Sequence, residues 1–257
     1  MTDYKYNLHD QKLDNYARGF ESRVGDSSGD IEVDFFDSLR LLLEMKRDGA
    51  VIDIGAGTGR ATVLAQGICR EVVALEPDRE RWQGTHSDLH DEPQCRVLCQ
   101  TSSDYIAENP GKKFDVVILG WVVQHISTVT CDAVLRDVAQ LLQPDGVAII
   151  ATTHTIEEAE GFSCAHADLD EVYMSEVAFN TYAENSANQP KGIPVRRFSK
   201  KGFLAALAPL FETIYWRQIS YFLPPRAERI AARLKVDPQQ LLDIGNSQFV
   251  VVRRKSQ

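Results

Sequence analysis

Positive charge is in short supply in this chain: 28 lysines and arginines stand against 37 aspartates and glutamates, for a net charge of −9. A surface that tracks a phosphate backbone needs the opposite balance, which argues against nucleic acid as a substrate. The longest basic clusters, Arg196-Arg197 with Lys200-Lys201 and Arg253-Arg254-Lys255, are short enough to be solvated surface. Cysteine is scarce and irregularly placed. The five thiols (Cys69, Cys95, Cys99, Cys131, Cys164) form no C-x-x-C pair and have no histidine at a zinc-like offset, so they read as buried, reduced side chains. Long apolar runs are missing too. The opening MTDYKYNLHDQKLDNY has none, so neither a signal peptide nor a membrane span is expected, and the expected location is the cytoplasm.

What remains is a chain of 257 residues, 44% hydrophobic, which suits one full core with insertions better than two domains. Its most informative stretch is VIDIGAGTGR, residues 51 to 60. Val51, Ile52 and Ile54 suit a buried parallel strand, while Gly55, Gly57 and Gly59 permit positive φ and let a bound molecule approach the backbone. A second strand, Val72 to Leu75, closes on Glu76, which lies 21 positions past Gly55. An acid about 20 residues beyond such a turn can accept hydrogen bonds from a ribose diol. The dinucleotide spacing G-x-G-x-x-G is not met, because Arg60 fills its sixth position.

The pattern (Asp/Glu)-x-Gly-x-Gly-x-Gly with Glu76 resembles the class I S-adenosylmethionine-dependent methyltransferases of small-molecule type. Three further segments fall in that family's order: a strand ending near Ser102, FDVVILGWVVQHI at 114 to 126, and VLRDVAQLLQPDGVAIIAT at 134 to 152. The likeness covers residues 33 to 152 well and the C-terminal FSKKGFLAALAPLFETIYW and SQFVVVRRK more loosely. It implies an α/β fold: a seven-stranded, mostly parallel Rossmann-like sheet with helices on both faces and an antiparallel last strand. Alternation of strands at 51 to 54, 72 to 75, 96 to 99, 115 to 119 and 147 to 152 with helical stretches at 60 to 68 and 130 to 142 leads independently to a parallel sheet. Phe35, Phe36, Leu39, Leu42, Leu43 and Met45 recur at helical spacing ahead of the first strand.

One domain spans 1 to 257, with three additions. Residues 1 to 30 form an N-terminal arm that either closes over the site or packs outside it. Residues 153 to 198, acidic early and turn-rich late, read as an insertion or lid after the fifth strand. Residues 224 to 246 form a second insertion before the last strand, as lid or interface element, and leave open whether the chain acts alone or as a homodimer.

The resemblance implies S-adenosylmethionine as cofactor and S-adenosylhomocysteine as product. Asp53, Gly55, Ala56, Gly57 and Gly59 would hold the methionine end, Glu76 and Pro77 the ribose, Ser102 and Ser103 the adenine, and Gly120 and Trp121 the sulfonium side. Asp104 is an alternative to Ser102, and capping of the following helix is the competing role for all three. Trp121 is alternatively plain core. His125 is the leading candidate base, because imidazole titrates near neutrality and an oxygen or nitrogen acceptor generally loses a proton; His154 is the second. A structural or cofactor-side role for His125 stays open. Metal-dependent chemistry using His154, His166, Asp168 and Asp170 is not expected, since Gly120 and Trp121 fill a strand end where metal-dependent relatives place an acid. The absence of Asp-Pro-Pro-Tyr or Asn-Pro-Pro-Tyr disfavours nucleobase amino groups. Tyr16, Phe20, Phe162, Tyr173, Phe179, Tyr182 and Tyr221 suggest a small, partly apolar acceptor. The rivals are non-methylating chemistry such as cyclisation, a peptide acceptor drawn to the acidic 157 to 176 stretch, and a non-catalytic cofactor-binding partner.

Overall fold

A computed structural model describes residues 33–89, 93–155, 159–165, 171–184, 192–219 and 247–255, with scattered positions between 228 and 238. The expected N-terminal arm, most of the second insertion, His166, Asp168, Asp170, Tyr16, Phe20 and Tyr221 lie outside them. The first element among the described residues is α1 (Val33–Met45), followed by β1 (Ala50–Ile54), α2 (Arg60–Gln66), β2 (Glu71–Leu75), α3 (Arg79–Leu89), β3 (Cys95–Leu98), α4 (Ser102–Glu108) and β4 (Phe114–Gly120). A single 3-10 turn, Val123–His125, leads to α5 (Thr128–Leu141) and β5 (Leu142–Thr155). Then come β6 (Gly161–Ala165), β7 (Glu171–Tyr173), α6 (Glu176–Glu184), β8 (Ile193–Ser199), α7 (Lys200–Leu207), β9 (Phe211–Ile219) and β10 (Ser247–Arg254).

The central sheet runs β3-β2-β1-β4-β5, all parallel, with β10 antiparallel to β5 and β9 antiparallel to β10. The expected seven strands are present, and the last of them, β10, opposes the others as expected, since β9, antiparallel to β10, regains the direction of β5. All five residues of β1 are buried. An unbroken apolar strand of this kind belongs to a sheet covered on both faces. On one face Ile52, Val73, Val117 and Ile150 meet Leu135 and Val138 of α5 and Phe203 and Leu207 of α7. On the other, Val51, Val72, Ile118 and Ile149 meet α1 through Phe35, Leu39 and Leu43. Those three recur every fourth residue and form the stripe expected there, whereas Met45, counted in that stripe from the sequence, is exposed.

The stretch 153 to 198, expected as an insertion, is more regular in its described residues than its polar composition suggests. β5 itself runs on to Thr155, and β6, β7 and β8 form a small antiparallel sheet that joins β5 at His154↔Phe198 and Thr155↔Ser199. Phe179 is fully buried against Phe162, and Arg196 lies over the Phe198 ring at 4.1 Å while pairing with Glu160 at 2.7 Å. Phe162 and Phe179 pack on one another within this stretch, while Phe198 ties it to the main core beside Phe203.

Candidate functional site

β1 delivers the glycine turn to the carboxyl edge of the sheet. Gly55, Gly57 and Gly59 have φ of 69°, 59° and 81°, the left-handed region where a side chain is strained. At Gly55 sterics also forbid one, since a Cβ would lie 2.4 Å from Val122 Cγ2. The amides of Gly55 and Ala56 both donate to the Leu75 carbonyl, at 2.8 and 2.9 Å, which ties the turn to the end of β2.

The next residue of that strand end is Glu76, which is buried. The Gly57 amide donates to its Oε2 at 2.8 Å and the Asp78 amide to its Oε1 at 2.9 Å. Each oxygen therefore carries one backbone donor and keeps a lone pair for another. Burial pushes the Glu76 carboxyl up from its ordinary range, while the Arg81 guanidinium and the two amides pull it down. Pro77 links Glu76 to Asp78, whose Oδ1 accepts from the Glu80 and Arg81 amides at 2.9 and 3.1 Å and so caps α3. Asp53, also buried, accepts from Thr62 Oγ1 at 2.7 Å, and burial with the nearby Glu76 charge pushes it up to about 6.

At the exit of β4, Gly120 is followed by Trp121 in the left-handed region at φ 55°. A bulky residue there is strained and must be held in place. Its amide donates to the Ala151 carbonyl at 2.9 Å, its Nε1 to Ser247 Oγ at 2.7 Å, and its ring meets Phe35 at 4.8 Å. Trp121 is thus a half-buried brace between β4, β10 and α1, and its strained backbone sits on the same edge as the glycine turn.

His125 ends the 3-10 turn that follows. Its Nδ1 lies 2.8 Å from the Pro194 carbonyl, so Nδ1 carries the proton and Nε2 the lone pair, which faces the Gln124 side-chain amide at 3.2 Å. Gln124 is itself oriented by Thr152, whose hydroxyl donates to Gln124 Oε1 at 3.2 Å. Burial above all, against the Pro194 bond and with the Arg81 charge, pushes His125 down to about 4, so it is neutral at physiological pH. His154 sits elsewhere, buried between β8 and β9 with its ring 6.1 Å from that of Trp216; burial pushes its pKa down too.

The structure therefore gathers Asp53, Gly55 to Gly59, Glu76 and Pro77, with the Arg81 charge reaching both Glu76 and His125. Ser102 and Ser103 point away from this group: both hydroxyls donate to Asp137 Oδ2 on α5, at 2.7 and 2.6 Å. The cap of α4 is Thr101, which accepts from the Asp104 amide at 3.1 Å, and not Ser102, Ser103 or Asp104. The insertion's aromatics also serve other ends: Phe162 and Phe179 pack on one another, Tyr182 donates to the Gly192 carbonyl at 2.8 Å, and Tyr173 is exposed. Four cysteines are buried as expected, whereas Cys99 is exposed. Arg81 and Pro194 escaped the sequence reading, since a helical arginine and a strand carbonyl carry no motif, and Gln124 is legible there only as part of the β4 exit. Among the described residues no group of three or more His, Cys, Asp or Glu could hold a metal ion, and no helix is long and apolar enough to cross a membrane.

The backbone is similar to that of solved methyltransferases. One is the 1,6-didemethyltoxoflavin-N1-methyltransferase of Burkholderia thailandensis, solved with 1,6-didemethyltoxoflavin and S-adenosylhomocysteine; TM-score 0.58, 16% identity, 97% of this chain and 88% of that one. Another is the N-methyltransferase NodS of Bradyrhizobium japonicum WM9, also solved with S-adenosylhomocysteine; TM-score 0.59, 10% identity, 97% of this chain and all (100%) of that one. The [4+2]-cyclase SpnF has the same fold, with TM-score 0.56 and 15% identity over 86% of this chain and 82% of its own. No curated protein matches the chain. The family model described as methyltransferase domain matches residues 32–180, more than half of the 257, and takes in the glycine turn, Glu76 and His125. With that match and the Rossmann-like sheet beneath it, the chain belongs to the methyltransferase domain family.

Proposed function

We propose that the protein transfers a methyl group from S-adenosylmethionine to a small, partly apolar acceptor, such as a metabolite or natural-product intermediate. The observation that carries this reading is the pairing of a turn with three left-handed glycines and a buried Glu76 bonded to Gly57. The residues fit the cofactor. The backbone of Gly55, Ala56, Gly57 and Gly59 is bare enough for the methionine end to lie on it, and Asp53 offers a nearby carboxylate to its ammonium. Glu76 keeps acceptor capacity for two ribose hydroxyls, with Pro77 beside it. Since Ser102 and Ser103 spend their hydroxyls on Asp137, they would border the adenine with their backbone. Gly120 and Trp121 would line the sulfonium side.

The bound cofactor supplies an electrophilic methyl carbon for in-line displacement. The chain's contribution is positioning and water exclusion, which can account for much of the rate when donor and acceptor are held collinear. His125 has the neutral form a base needs, but its lone pair faces Gln124, so in this arrangement it pins the insertion to the β4 exit through Pro194. A base role requires Gln124 to turn away. His154, enclosed by Trp216 and β8, is the weaker candidate of the two.

The likeness to SpnF favours a second reading, cyclisation on the same fold. Calorimetric titration with S-adenosylmethionine and S-adenosylhomocysteine, followed by an acceptor screen read as S-adenosylhomocysteine formation, tests both. Micromolar binding with acceptor-dependent turnover is expected. Acceptor conversion without turnover of the cofactor would favour cyclisation, and failure of folded, cofactor-free protein to bind either ligand would end both readings.

A further inference from the structure

The cofactor reading, on which this inference rests, leaves Arg81 unused. Its backbone is fixed by the Asp78 cap at the start of α3. From there its side chain reaches back over the glycine turn, where a Cβ on Gly57 would lie 3.0 Å from the guanidinium Nη2. The Gly57 amide in turn lies 2.8 Å from Glu76. The same cation lowers the pKa of both Glu76 and His125, which agrees with a guanidinium standing among all three.

In S-adenosylmethionine the sulfur joins the ribose to the methionine chain. A donor with its ribose at Glu76 and its methionine end along the glycine turn therefore carries its positive sulfonium between those two points. The Arg81 guanidinium lies against Gly57, whose amide bonds Glu76, and so borders both points. S-adenosylhomocysteine has the same connectivity without the charge. We propose that Arg81 is a specificity-determining residue of the cofactor site: its fixed positive charge divides affinity unequally between cationic donor and neutral product, holding the donor more loosely. Like charges close together at a partly buried site repel, and an effect of about tenfold on the donor's dissociation constant is what titration would read.

The test is titration calorimetry of S-adenosylmethionine and S-adenosylhomocysteine into wild-type protein, Arg81→Met, Arg81→Gln and Arg81→Lys, each checked for native melting. The quantity to follow is the ratio of the two dissociation constants. Wild type is expected to bind the product more tightly, both neutral variants to shift the ratio about tenfold toward the donor, and Arg81→Lys to retain the wild-type ratio. If Arg81 only neutralises Glu76, its loss weakens both ligands alike through their common ribose. An unchanged ratio in whichever neutral variant folds, or a wild type that already prefers the donor, overturns the proposal while leaving the cofactor reading intact. Binding of neither ligand to wild type overturns both.

Discussion

Single positions in the glycine turn have calculable tolerances. At Gly55 a methyl group meets Val122 Cγ2 at 2.4 Å in a backbone region already unfavourable to it. Gly55→Ala should therefore destabilise the protein by about 2 to 4 kcal/mol, strain and overlap together, read as a lower midpoint in urea. Glu76→Gln keeps the shape but removes the charge that accepts the Gly57 and Asp78 amides. A hydrogen bond to a charged acceptor is worth about 1.5 to 3 kcal/mol, so with the proposed ribose hydroxyls left facing a neutral amide S-adenosylhomocysteine affinity should fall roughly tenfold to a hundredfold in titration. The glycines and Glu76 were legible in the sequence because backbone conformation and strand position alone define their task. The partners of Ser102, Ser103 and His125 were not. Asp137 lies 35 positions from Ser102 and Pro194 lies 69 from His125, and no local pattern encodes contacts over such separations.

Helices and strands obeyed their patterns where one periodicity governed. The alternation from β1 to β5 and the α1 stripe could be read directly, whereas the insertion hid three strands because charged residues there pair across the small sheet, as Arg196 does with Glu160. Capping sets the helix starts. Ser127 accepts from the Thr130 amide at 3.2 Å, and Ser127→Ala should cost about 1 kcal/mol, seen as a melting temperature lowered by about 2 to 4 °C. The edge strand β9 is exposed along most of its length, yet its pairing with β10 slips between Val251 and Val252, leaving Ile214 as an extra residue. A bulge at an open edge twists it away from further strands and guards against edge-to-edge aggregation.

For the molecule as a whole, buried titratable groups of the site pull stability in opposite directions as pH changes. His125 is held at about 4 against an ordinary 6.5, so the unfolded chain takes its proton first and stability is lost as pH falls from 6.5 toward 4. Asp53 is held at about 6 against 3.8, so the folded chain takes its proton first and stability is gained as pH falls from 6 toward 3.8. In the wild type these two act against one another. Asp53→Asn should expose the His125 loss, about 2 kcal/mol between pH 7 and 4.5, and His125→Asn the opposing gain; urea unfolding at the two pH values reads both.

The place of β10 in the sheet has a consequence for the order of assembly. β1 to β5 can pair with one another once residue 155 has been made, but among the described strands β9 pairs with β10, and β10 reaches back from Ser247 to Thr153. A chain leaving the ribosome therefore makes β9 before its strand partner Ser247–Arg254, and only with that strand do Trp121, through Ser247, and Trp216, through Gln248, find their hydrogen-bond acceptors. Such long-range closure is intrinsically slow. The same strand braces the exit of β4 through the Trp121–Ser247 bond, so the backbone strained at Trp121 is held only after a contact 126 positions away has closed.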